Sequence, residues 1–302
     1  MDDIDKKVAF ITGAASGIGL GIARTFAAAN IPVAMADVRI PELEAAAAAI
    51  ARLGARVLAV PLDVTDRAAW VAAADRVERE LGPVQTLCSN AGVNFIGATQ
   101  EATYQDWDFA LGVNLGGAIN AVRTFVPRMI GRSVPGRHSG HVVITSSVSG
   151  LFTSGGSGVY ATSKYALVGL AESLRADLKA HGIGVSVLCP GPVKSELFES
   201  TTAVRPSRLA ETGSVPLLPP GVAREQTPIF VTAPTGEDVG QHVLRAIRAN
   251  ALYILTHPEI RPVLEARAAA LLAAVPATPV DPARIEASQR LLDTSLYDTA
   301  RA

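Results

Sequence analysis

The chain has 302 residues, of which 49% are hydrophobic and 18% are charged. A chain of this length and composition can bury a large core within one α/β domain. The formal net charge of −1 gives no electrostatic reason to expect nucleic acid or an anionic membrane as a partner.

Cysteine content and the amino terminus bear on the compartment. The two cysteines, Cys88 and Cys189, lie at the ends of predicted strands, away from any Cys-x-x-Cys motif, which favours buried reduced thiols. The chain starts with an acidic segment, Met1-Asp2-Asp3, and enters a strand almost at once. No apolar run approaches the roughly 20 residues that span a bilayer. We therefore expect a soluble, cytoplasmic protein.

Short apolar runs alternate with helical patterns along most of the chain. In chain order we predict strands at 7–12, 32–37, 56–60, 84–89, 141–146, 183–188 and 252–256, and helices at 17–29, 41–53, 66–81, 107–130, 160–181, 237–249 and 259–274. This βαβα order predicts a doubly wound parallel sheet of about seven strands with helices on both faces. The fold class is therefore α/β, in a single domain.

The alternation stops between Lys194 and Gly236, where six prolines are mixed with large apolar side chains. A long irregular segment in a compact domain is usually a functional lid or a disordered segment, and the apolar residues favour a lid. The predicted domain covers residues 1–256, with the lid at about 194–236. Residues 257–302 add a helix and, from Pro276, a polar tail to the same domain.

A glycine-rich turn, Thr12-Gly13-Ala14-Ala15-Ser16-Gly17-Ile18-Gly19, follows the first predicted strand. Glycine lets a phosphate approach the backbone, and the N-terminus of the helix that begins here favours an anion. Any tight turn before a helix can contain glycines, but this position favours dinucleotide binding. The candidate contacts are Gly13, Ser16, Gly17, Ile18 and Gly19.

Asp37 ends the second predicted strand, 18 residues after Gly19. A carboxylate there accepts hydrogen bonds from the adenosine ribose and repels a 2′-phosphate, which favours NAD over NADP. Arg39 is a complication, because it would pair with a 2′-phosphate if its side chain folds inward. Asp63-Val64, after the third strand, either contacts the adenine or only orders the turn before the next helix.

The main catalytic signal is the pair Tyr160 and Lys164, which are four residues apart and so share one face of a predicted helix. An ammonium near a phenol lowers the pKa of the phenol and lets it act as an acid or base. Ser147 lies 13 residues before Tyr160. Together with the glycine-rich turn, this order indicates a nicotinamide-dependent alcohol or ketone oxidoreductase.

These features resemble the short-chain dehydrogenase/reductase family over about residues 5–256. The resemblance rests on Thr12-Gly13-x-x-x-Gly17-Ile18-Gly19, Asp63-Val64, Asn90-Ala91-Gly92, Asn114, Ser147, Tyr160-x-x-x-Lys164 and Pro190-Gly191. It implies a Rossmann-type fold and hydride transfer between NAD, or alternatively NADP, and a carbon that carries an alcohol or ketone oxygen. The chain departs from the family pattern at Ser89, where asparagine is common, and at Ser195, where threonine is usual.

The resemblance also implies a role for each catalytic residue. Tyr160 is the expected acid/base. To remove an alcohol proton near neutral pH, its phenol needs a pKa well below the ordinary ~10, and lowering that pKa by ~3 units requires about 4 kcal/mol of stabilisation of the phenolate. Lys164 would lower that pKa and bind the nicotinamide ribose, and Ser147 would donate to the substrate oxygen. Asn114 would hold a water that relays protons between Lys164 and solvent. The alternative is that Asn114 is a polar residue that only bends its helix.

Two further segments would contact the cofactor in a protein of this family. Asn90, Ala91 and Gly92 would close over the adenine ring. After the sixth strand, the segment containing Pro190, Gly191, Val193 and Ser195 would meet the nicotinamide, with the Val193 backbone at the carboxamide. Such strand ends at the carboxyl edge of a parallel sheet are where ligands bind.

The residues expected at the substrate cleft are mostly apolar: Val93, Asn94, Phe95, Ser149, Leu151, Phe152, Pro192 and the lid. This favours a neutral, bulky secondary alcohol or ketone as the small-molecule substrate. With the lid, the C-terminal helix, the segment from Val113-Asn114-Leu115 through Phe125-Val126-Pro127-Arg128-Met129-Ile130 and the Leu252-Tyr253-Ile254 ending, the chain resembles family members that oxidise bulky secondary alcohols, including aryl-alcohol Cα-dehydrogenases. Lys194 and Arg205 could still meet a charged tail, so a reductase of 3-oxoacyl thioesters stays open.

Further alternatives concern activity, metals and assembly. A non-catalytic cofactor-binding regulator would be expected to lack one of the four catalytic residues, and none is missing. The five histidines have no ligand spacing, so we predict no catalytic metal. Long helices form the subunit contact in related proteins, which predicts a homodimer or homotetramer.

Overall fold

Seven parallel strands form the centre of the protein, in the spatial order β3-β2-β1-β4-β5-β6-β7. The computed structural model describes residues 7–134, 137–209, 227–289 and 295–297. The strands are β1 (Val8–Thr12), β2 (Val33–Asp37), β3 (Val57–Pro61), β4 (Val84–Ser89), β5 (Gly140–Thr145), β6 (Ile183–Cys189) and β7 (Tyr253–Leu255). This order confirms the predicted doubly wound α/β sheet.

Helices cover both faces of the sheet. They are α1 (Gly17–Ala28), α2 (Ile40–Ala51), α3 (Arg67–Glu80), α4 (Tyr104–Leu111), α5 (Gly117–Ile130), α6 (Gly158–Leu178), α7 (Leu197–Val204), α8 (Pro228–Val231), α9 (Gly236–Ala249), α10 (Arg261–Ala273) and α11 (Pro282–Ser288). One core contains residues of α3, α5 and α6, and the other contains residues of α1, α2 and α9. Because both faces are covered, central strands such as β6 are buried at every position.

The single helix predicted at 107–130 is wrong in two respects. It begins earlier, at Tyr104, because Thr103 and Asp106 form a reciprocal capping box. It is also interrupted by a π-helical segment, Gly112–Gly116. The side chain of Asn114, within this segment, bonds Val93 and Ser163 across the core, and such insertions are frequent at functional sites.

Residues Tyr104–Ile130 are long and apolar enough, by length and composition alone, to cross a membrane. The expectation that no apolar run approaches such a length is therefore wrong for this stretch. Its residues Ala121 and Phe125 are fully buried in the core against the sheet. We interpret the stretch as core helices, which pass the same test.

The remaining predictions are confirmed in part. Cys88 and Cys189 are free and buried, as predicted. The described part of the predicted lid contains α7 and α8, residues 210–226 lie outside the described residues, and its role as a lid stays a prediction. The predicted polar tail contains α11, which begins because the Asp281 side chain accepts from the Ala283 N–H and Pro282 suits the first helical position.

Candidate active site

The site lies where the direction of chain winding reverses. β1 and β4 are neighbours in the sheet, although β2 and β3 come between them in the chain. The chain therefore leaves β1 and β4 toward opposite edges of the sheet, and a crevice opens at their carboxyl ends. A cavity of about 720 Å³ occupies this crevice and extends between α4 and α7.

The turn after β1 is shaped for close approach by a ligand. Gly13 and Gly17 have φ values of 66° and 54°, in the left-handed region that favours glycine. A Cβ on Gly13 would lie 2.9 Å from the Ala91 Cα, and one on Gly19 would lie 2.1 Å from the Gly13 carbonyl oxygen. Gly19 therefore packs the turn, whereas Gly13, Ser16, Gly17 and Ile18 line the cavity.

Thr12 joins this turn to the segment after β4. Its Oγ1 accepts from the backbone N–H groups of Asn90 and Ala91, both at 2.9 Å. Asn90 returns a bond from Nδ2 to the Thr12 carbonyl oxygen at 3.1 Å. In the sequence, Thr12 is recognisable only as part of the glycine-rich motif. Its side chain can bind the segment after β4 because β1 and β4 are neighbours in the sheet. Asn90, Ala91 and Gly92 line the cavity as predicted.

The end of β2 carries both a carboxylate and a guanidinium. Asp37 Oδ2 accepts from the Ala15 N–H at 3.1 Å, and Oδ1 accepts from the Arg39 N–H at 3.0 Å. The Arg39 side chain folds inward: Nη2 donates to Ser16 Oγ at 2.6 Å, and Nε lies 3.6 Å from Asp37 Oδ1. Its Nη1 lies 3.6 Å from Glu196 Oε2, at the start of α7. One guanidinium thus lies between two carboxylates.

Asp63 orders the turn before the next helix, and its predicted contact with the adenine stays a prediction. Its Oδ1 accepts from both the N–H and the hydroxyl of Thr65 at 2.8 Å, which orders the turn before α3. Asp63 and Val64 also line the cavity. The Val64 carbonyl accepts from Trp70 and Asn120, which fixes this wall of the crevice to α3 and α5.

Ser147, Tyr160 and Lys164 meet at the floor of the cavity. Ser147 follows β5, and its Oγ donates to the Pro190 carbonyl at 3.5 Å and accepts from the Ser149 N–H at 3.1 Å. Lys164 Nζ lies 5.3 Å from the centroid of the Tyr160 ring and donates to the Thr145 carbonyl at 3.2 Å. The spacing along α6 and the position after β5 therefore bring the three side chains together.

Burial moves the pKa values of this pair toward the neutral forms. Burial raises the pKa of Tyr160 to about 12, against the opposing hydrogen bond from Ser147. Burial also lowers the pKa of Lys164 to about 8. In the protein chain alone, desolvation of the phenolate outweighs the other influences on Tyr160, and the lowering of the phenol pKa by Lys164 together with the bound cofactor stays a prediction.

Asn114 lies behind the cavity and does not line it. Its Oδ1 accepts from the Val93 N–H at 2.8 Å, while Nδ2 donates to the Val93 carbonyl at 3.1 Å and to Ser163 Oγ at 2.9 Å. A Cβ on Gly92 would lie 3.2 Å from Asn114 Oδ1 and 3.5 Å from Lys164 Nζ. The carboxamide and the ammonium therefore converge on one point beside Gly92.

The loop after β6 forms another wall, with Pro190, Gly191, Val193 and Ser195 along the cavity. His257, after β7, holds this loop: its Nδ1 accepts from the Gly191 N–H at 3.1 Å. Its Nε2 lies 2.9 Å from the Pro192 carbonyl, to which it donates in this tautomer. Sequence reasoning missed this role of His257, although its place after a strand at the carboxyl edge was a signal.

Beyond Tyr160 the cavity is mostly apolar. Of the predicted cleft residues, Val93, Asn94, Ser149 and Pro192 line it. Phe95, Leu151 and Phe152 do not, because Phe95 packs beside Ala110 and Val159, and Leu151 packs on the main core. The cavity is also lined by residues that the sequence analysis did not assign to the cleft, among them Gln105, Asp108, Phe109, Gly112, Val113 and Val148. The predicted lid contributes Leu197, Phe198, Ser200, Val204, Pro206 and Phe230. Lys194 and Arg205 are not among the described lining residues.

The residues present fit a nicotinamide dinucleotide. A glycine turn open to phosphate, a carboxylate at the end of β2 and a lysine at the cavity floor lie along one crevice. Every cofactor residue predicted from the sequence lines it, apart from Gly19. Ser147 and both members of the Tyr160–Lys164 pair line it as well, so a cofactor there would lie against them.

Comparisons with known proteins agree with this architecture. The sequence model of the short chain dehydrogenase family matches residues 7–205. A Cα-dehydrogenase of Sphingobium sp. (strain NBRC 103272 / SYK-6) is 38% identical over 283 residues, which cover 93% of this chain and 90% of the relative. The 1-deoxy-11-beta-hydroxypentalenate dehydrogenase of Streptomyces exfoliatus is 34% identical over 265 residues, 85% of this chain and 86% of the relative.

A solved structure extends the likeness to the whole fold. The crystal structure of a short chain dehydrogenase/reductase from Burkholderia phymatum in complex with NAD has a TM-score of 0.79 and 32% identity. The match covers 93% of this chain and 100% of that chain. This chain belongs to the short-chain dehydrogenase/reductase family of nicotinamide-dependent oxidoreductases.

Proposed function

We propose that the protein interconverts a bulky, apolar secondary alcohol and its ketone, with NAD as cofactor. One observation carries the proposal: Ser147, Tyr160 and Lys164 meet at the floor of a cavity whose other end is lined by apolar side chains. When bound, NAD supplies the hydride acceptor or donor and, in its oxidised form, a positively charged ring.

Tyr160 is the proposed proton donor and acceptor. In the protein chain alone its pKa of about 12 keeps the phenol protonated at neutral pH, the form that donates to a ketone oxygen. Oxidation of an alcohol requires the phenolate, which a positive charge brought into the cavity stabilises. Ser147, which lines the cavity beside Tyr160, donates to the substrate oxygen and stabilises the charge that develops on it.

Lys164 and Asn114 are proposed to hold the cofactor ribose and to move protons. Lys164 Nζ has one bond to the Thr145 carbonyl, and an ammonium has further donors for ribose hydroxyls. The Asn114 carboxamide converges with Lys164 beside Gly92, as a proton relay through an intervening water requires. The bonds of Asn114 to Val93 and Ser163 fix its position.

The charges at the adenosine end favour NAD. Arg39 folds inward, which was the condition for it to pair with a 2′-phosphate. However, Asp37 and Glu196 both lie 3.6 Å from its guanidinium, so the local charge is one cation against two anions. A 2′-phosphate would meet this net negative charge, whereas ribose hydroxyls can donate to the Asp37 carboxylate.

The substrate class follows from the far end of the cavity. Phe109, Phe198, Val204 and Phe230 give an apolar lining that suits a bulky neutral molecule. A relative named Cα-dehydrogenase, 38% identical over 283 residues, supports a dehydrogenase activity.

The thioester alternative is less well supported. It needs a cation at the cavity mouth, but Arg205 is paired with Asp106 and Lys194 is not among the lining residues described. Asp108 and Glu196, which line the cavity, add negative charge that opposes a phosphate-bearing carrier. A regulator without catalytic activity would not need the complete set of Asn114, Ser147, Tyr160 and Lys164.

Initial rates test the proposal directly. Purified protein is assayed with NAD and NADP across secondary alcohols graded from small aliphatic to bulky aryl. We expect turnover with NAD on the bulky members, its loss by about a hundredfold or more in Tyr160→Phe, and little change in Tyr165→Phe. Tyr165 is the matched control, since it lies on the same helix but stacks under Arg267 outside the cavity. Full turnover by Tyr160→Phe would refute the mechanism.

Assembly and location remain proposals as well. We propose a cytoplasmic homodimer or homotetramer, by analogy with family members that associate through long helices. Light scattering on the purified full chain would give the subunit number, and a monomer at micromolar concentration would contradict the proposed assembly.

A further inference from the structure

Arg205 lies between two residues that line the cavity, Val204 and Pro206, but its own side chain points away from it. Nη2 donates to Asp106 Oδ1 at 2.5 Å, and Nε donates to the Leu209 carbonyl at 2.9 Å. The Arg205 and Asp106 side chains are 8% and 0% exposed. The chain therefore places a buried ion pair directly behind the α7 wall of the substrate cavity.

The same ion pair supports the opposite wall. Asp106 Oδ2 accepts from the N–H and the hydroxyl of Thr103, at 3.0 and 2.8 Å, and so caps α4. Phe109, about one turn along α4, lines the cavity, and its ring centroid lies 5.9 Å from the Arg205 guanidinium carbon. One carboxylate thus fixes the start of α4 and the end of α7 relative to each other.

A second buried contact holds the middle of α7. Thr201 is 5% exposed, and its Oγ1 accepts from the Asn94 N–H at 2.9 Å. The same hydroxyl donates to the Leu197 carbonyl at 2.6 Å. Asn94 lines the cavity, so α7 is attached both to α4 and to the segment after β4.

We propose that Arg205 and Asp106 are positioning residues that set the width of the substrate cavity and thereby the affinity for bulky apolar alcohols. The proposal rests on the function proposed above. Truncation of either side chain breaks the bond that joins the start of α4 to the end of α7, so the end of α7 can move relative to α4. The distance between Phe109 on α4 and Val204 on α7 therefore depends on the pair.

The experiment is a double-mutant cycle with Arg205→Met, Asp106→Asn and the double variant. In each single variant we expect KM for bulky aryl alcohols to rise about tenfold, with little change in kcat or in the Kd for NAD. KM for small aliphatic alcohols should change much less, so discrimination by size is lost. The double variant should be no worse than the poorer single variant, because each single variant already breaks the same bond.

Two controls separate positioning from general damage. Arg128→Met removes an arginine that is paired with Asp75 and Glu78 on the protein surface, and it should leave KM unchanged. Arg205→Lys should restore most of the affinity for bulky alcohols. If a single variant does not fold, the double variant still removes the bond between Arg205 and Asp106 and gives the same measurement.

Amide hydrogen exchange of residues 197–204 provides a readout that is independent of turnover. We expect faster exchange in Arg205→Met than in Arg128→Met, at equal global stability. Equal exchange and equal KM in these two variants would overturn the proposal. If the wild type turned over no alcohol, the proposed function would be refuted, whereas the exchange result would still decide whether the pair holds α7.

Discussion

Removing the negative charge of Glu196 should increase the use of NADP and leave the use of NAD unchanged. The Arg39 guanidinium lies 3.6 Å from Glu196 Oε2 and 3.6 Å from Asp37 Oδ1. A 2′-phosphate near Arg39 would be repelled by both carboxylates. Glu196→Gln removes one of them, keeps the shape of the side chain, and leaves Asp37 to accept from ribose hydroxyls.

The expected magnitude follows from the separation and the exposure of the charges. Arg39 and Glu196, 3.6 Å apart, attract each other by about 1.2 kcal/mol at the dielectric constant of water, and in Glu196→Gln a 2′-phosphate no longer competes with this attraction for Arg39. The Glu196 side chain is 63% exposed, so this value applies rather than the larger one of a buried pair. About 1 kcal/mol corresponds to roughly a fivefold rise in kcat/KM for NADP.

The assay compares kcat/KM for NAD and NADP at low and high ionic strength. The gain should shrink in high salt, because exposed charges are screened within about 10 Å at 0.1 M. Glu80→Gln is the control, since it removes an exposed carboxylate paired with Arg76 and not with Arg39. Arg39→Gln, in contrast, should lower kcat/KM for NADP below that of the wild type. An unchanged NADP-to-NAD ratio in Glu196→Gln, or a higher one in Arg39→Gln, would refute the charge argument.

Three further predictions concern buried groups. Burial lowers the pKa of Lys164 to about 8, so kcat/KM for the cofactor should fall as pH rises through about 8, and Lys164→Arg should shift that fall to higher pH. Burial lowers the pKa of His138 to about 4 and that of His141 well below 6.5; the unfolded chain therefore binds more protons below pH 6.5. In chemical denaturation, the free energy of unfolding should therefore decrease as the pH falls from about 6.5 to about 4. For half-buried His138, after screening by solvent, the decrease should be about 1–2 kcal/mol, and the decrease should be smaller in His138→Gln than in the wild type. His257→Leu removes two bonds to the loop after β6 and should weaken NAD binding about tenfold in a fluorescence titration, whereas His257→Gln should lose less; equal losses would contradict a positioning role.

The parts of the site that depend on local pattern could be predicted from the sequence. Residues four apart on a helix share a face, so Tyr160 and Lys164 had to point the same way. Central strands covered on both faces are continuously apolar, which located β5 and β6 to within one residue at each end. Asp37 follows from the same reasoning, because the end of a strand beside a glycine turn faces the cofactor crevice.

Features that depend on distant residues could not be predicted in this way. His257 reaches the loop after β6 only because β7 pairs with β6, and nothing near Gly191 in the sequence indicates this contact. The direction of Arg205 depends on a carboxylate 99 positions away, buried at the start of α4. The π-helical turn around Asn114 similarly depends on bonds to Val93 and Ser163.

The pKa values of the central pair show that burial opposes the effect that spacing alone predicts. Spacing places an ammonium near a phenol and so predicts a lowered phenol pKa, but burial raises the pKa of Tyr160 and lowers that of Lys164. Both changes favour the uncharged forms, since each group is removed from water by the same core. The chain alone therefore prepares a protonated phenol, which suits donation to a ketone. The phenolate needed for alcohol oxidation requires added positive charge in the cavity, so Tyr160 should become a base only when oxidised cofactor is already bound.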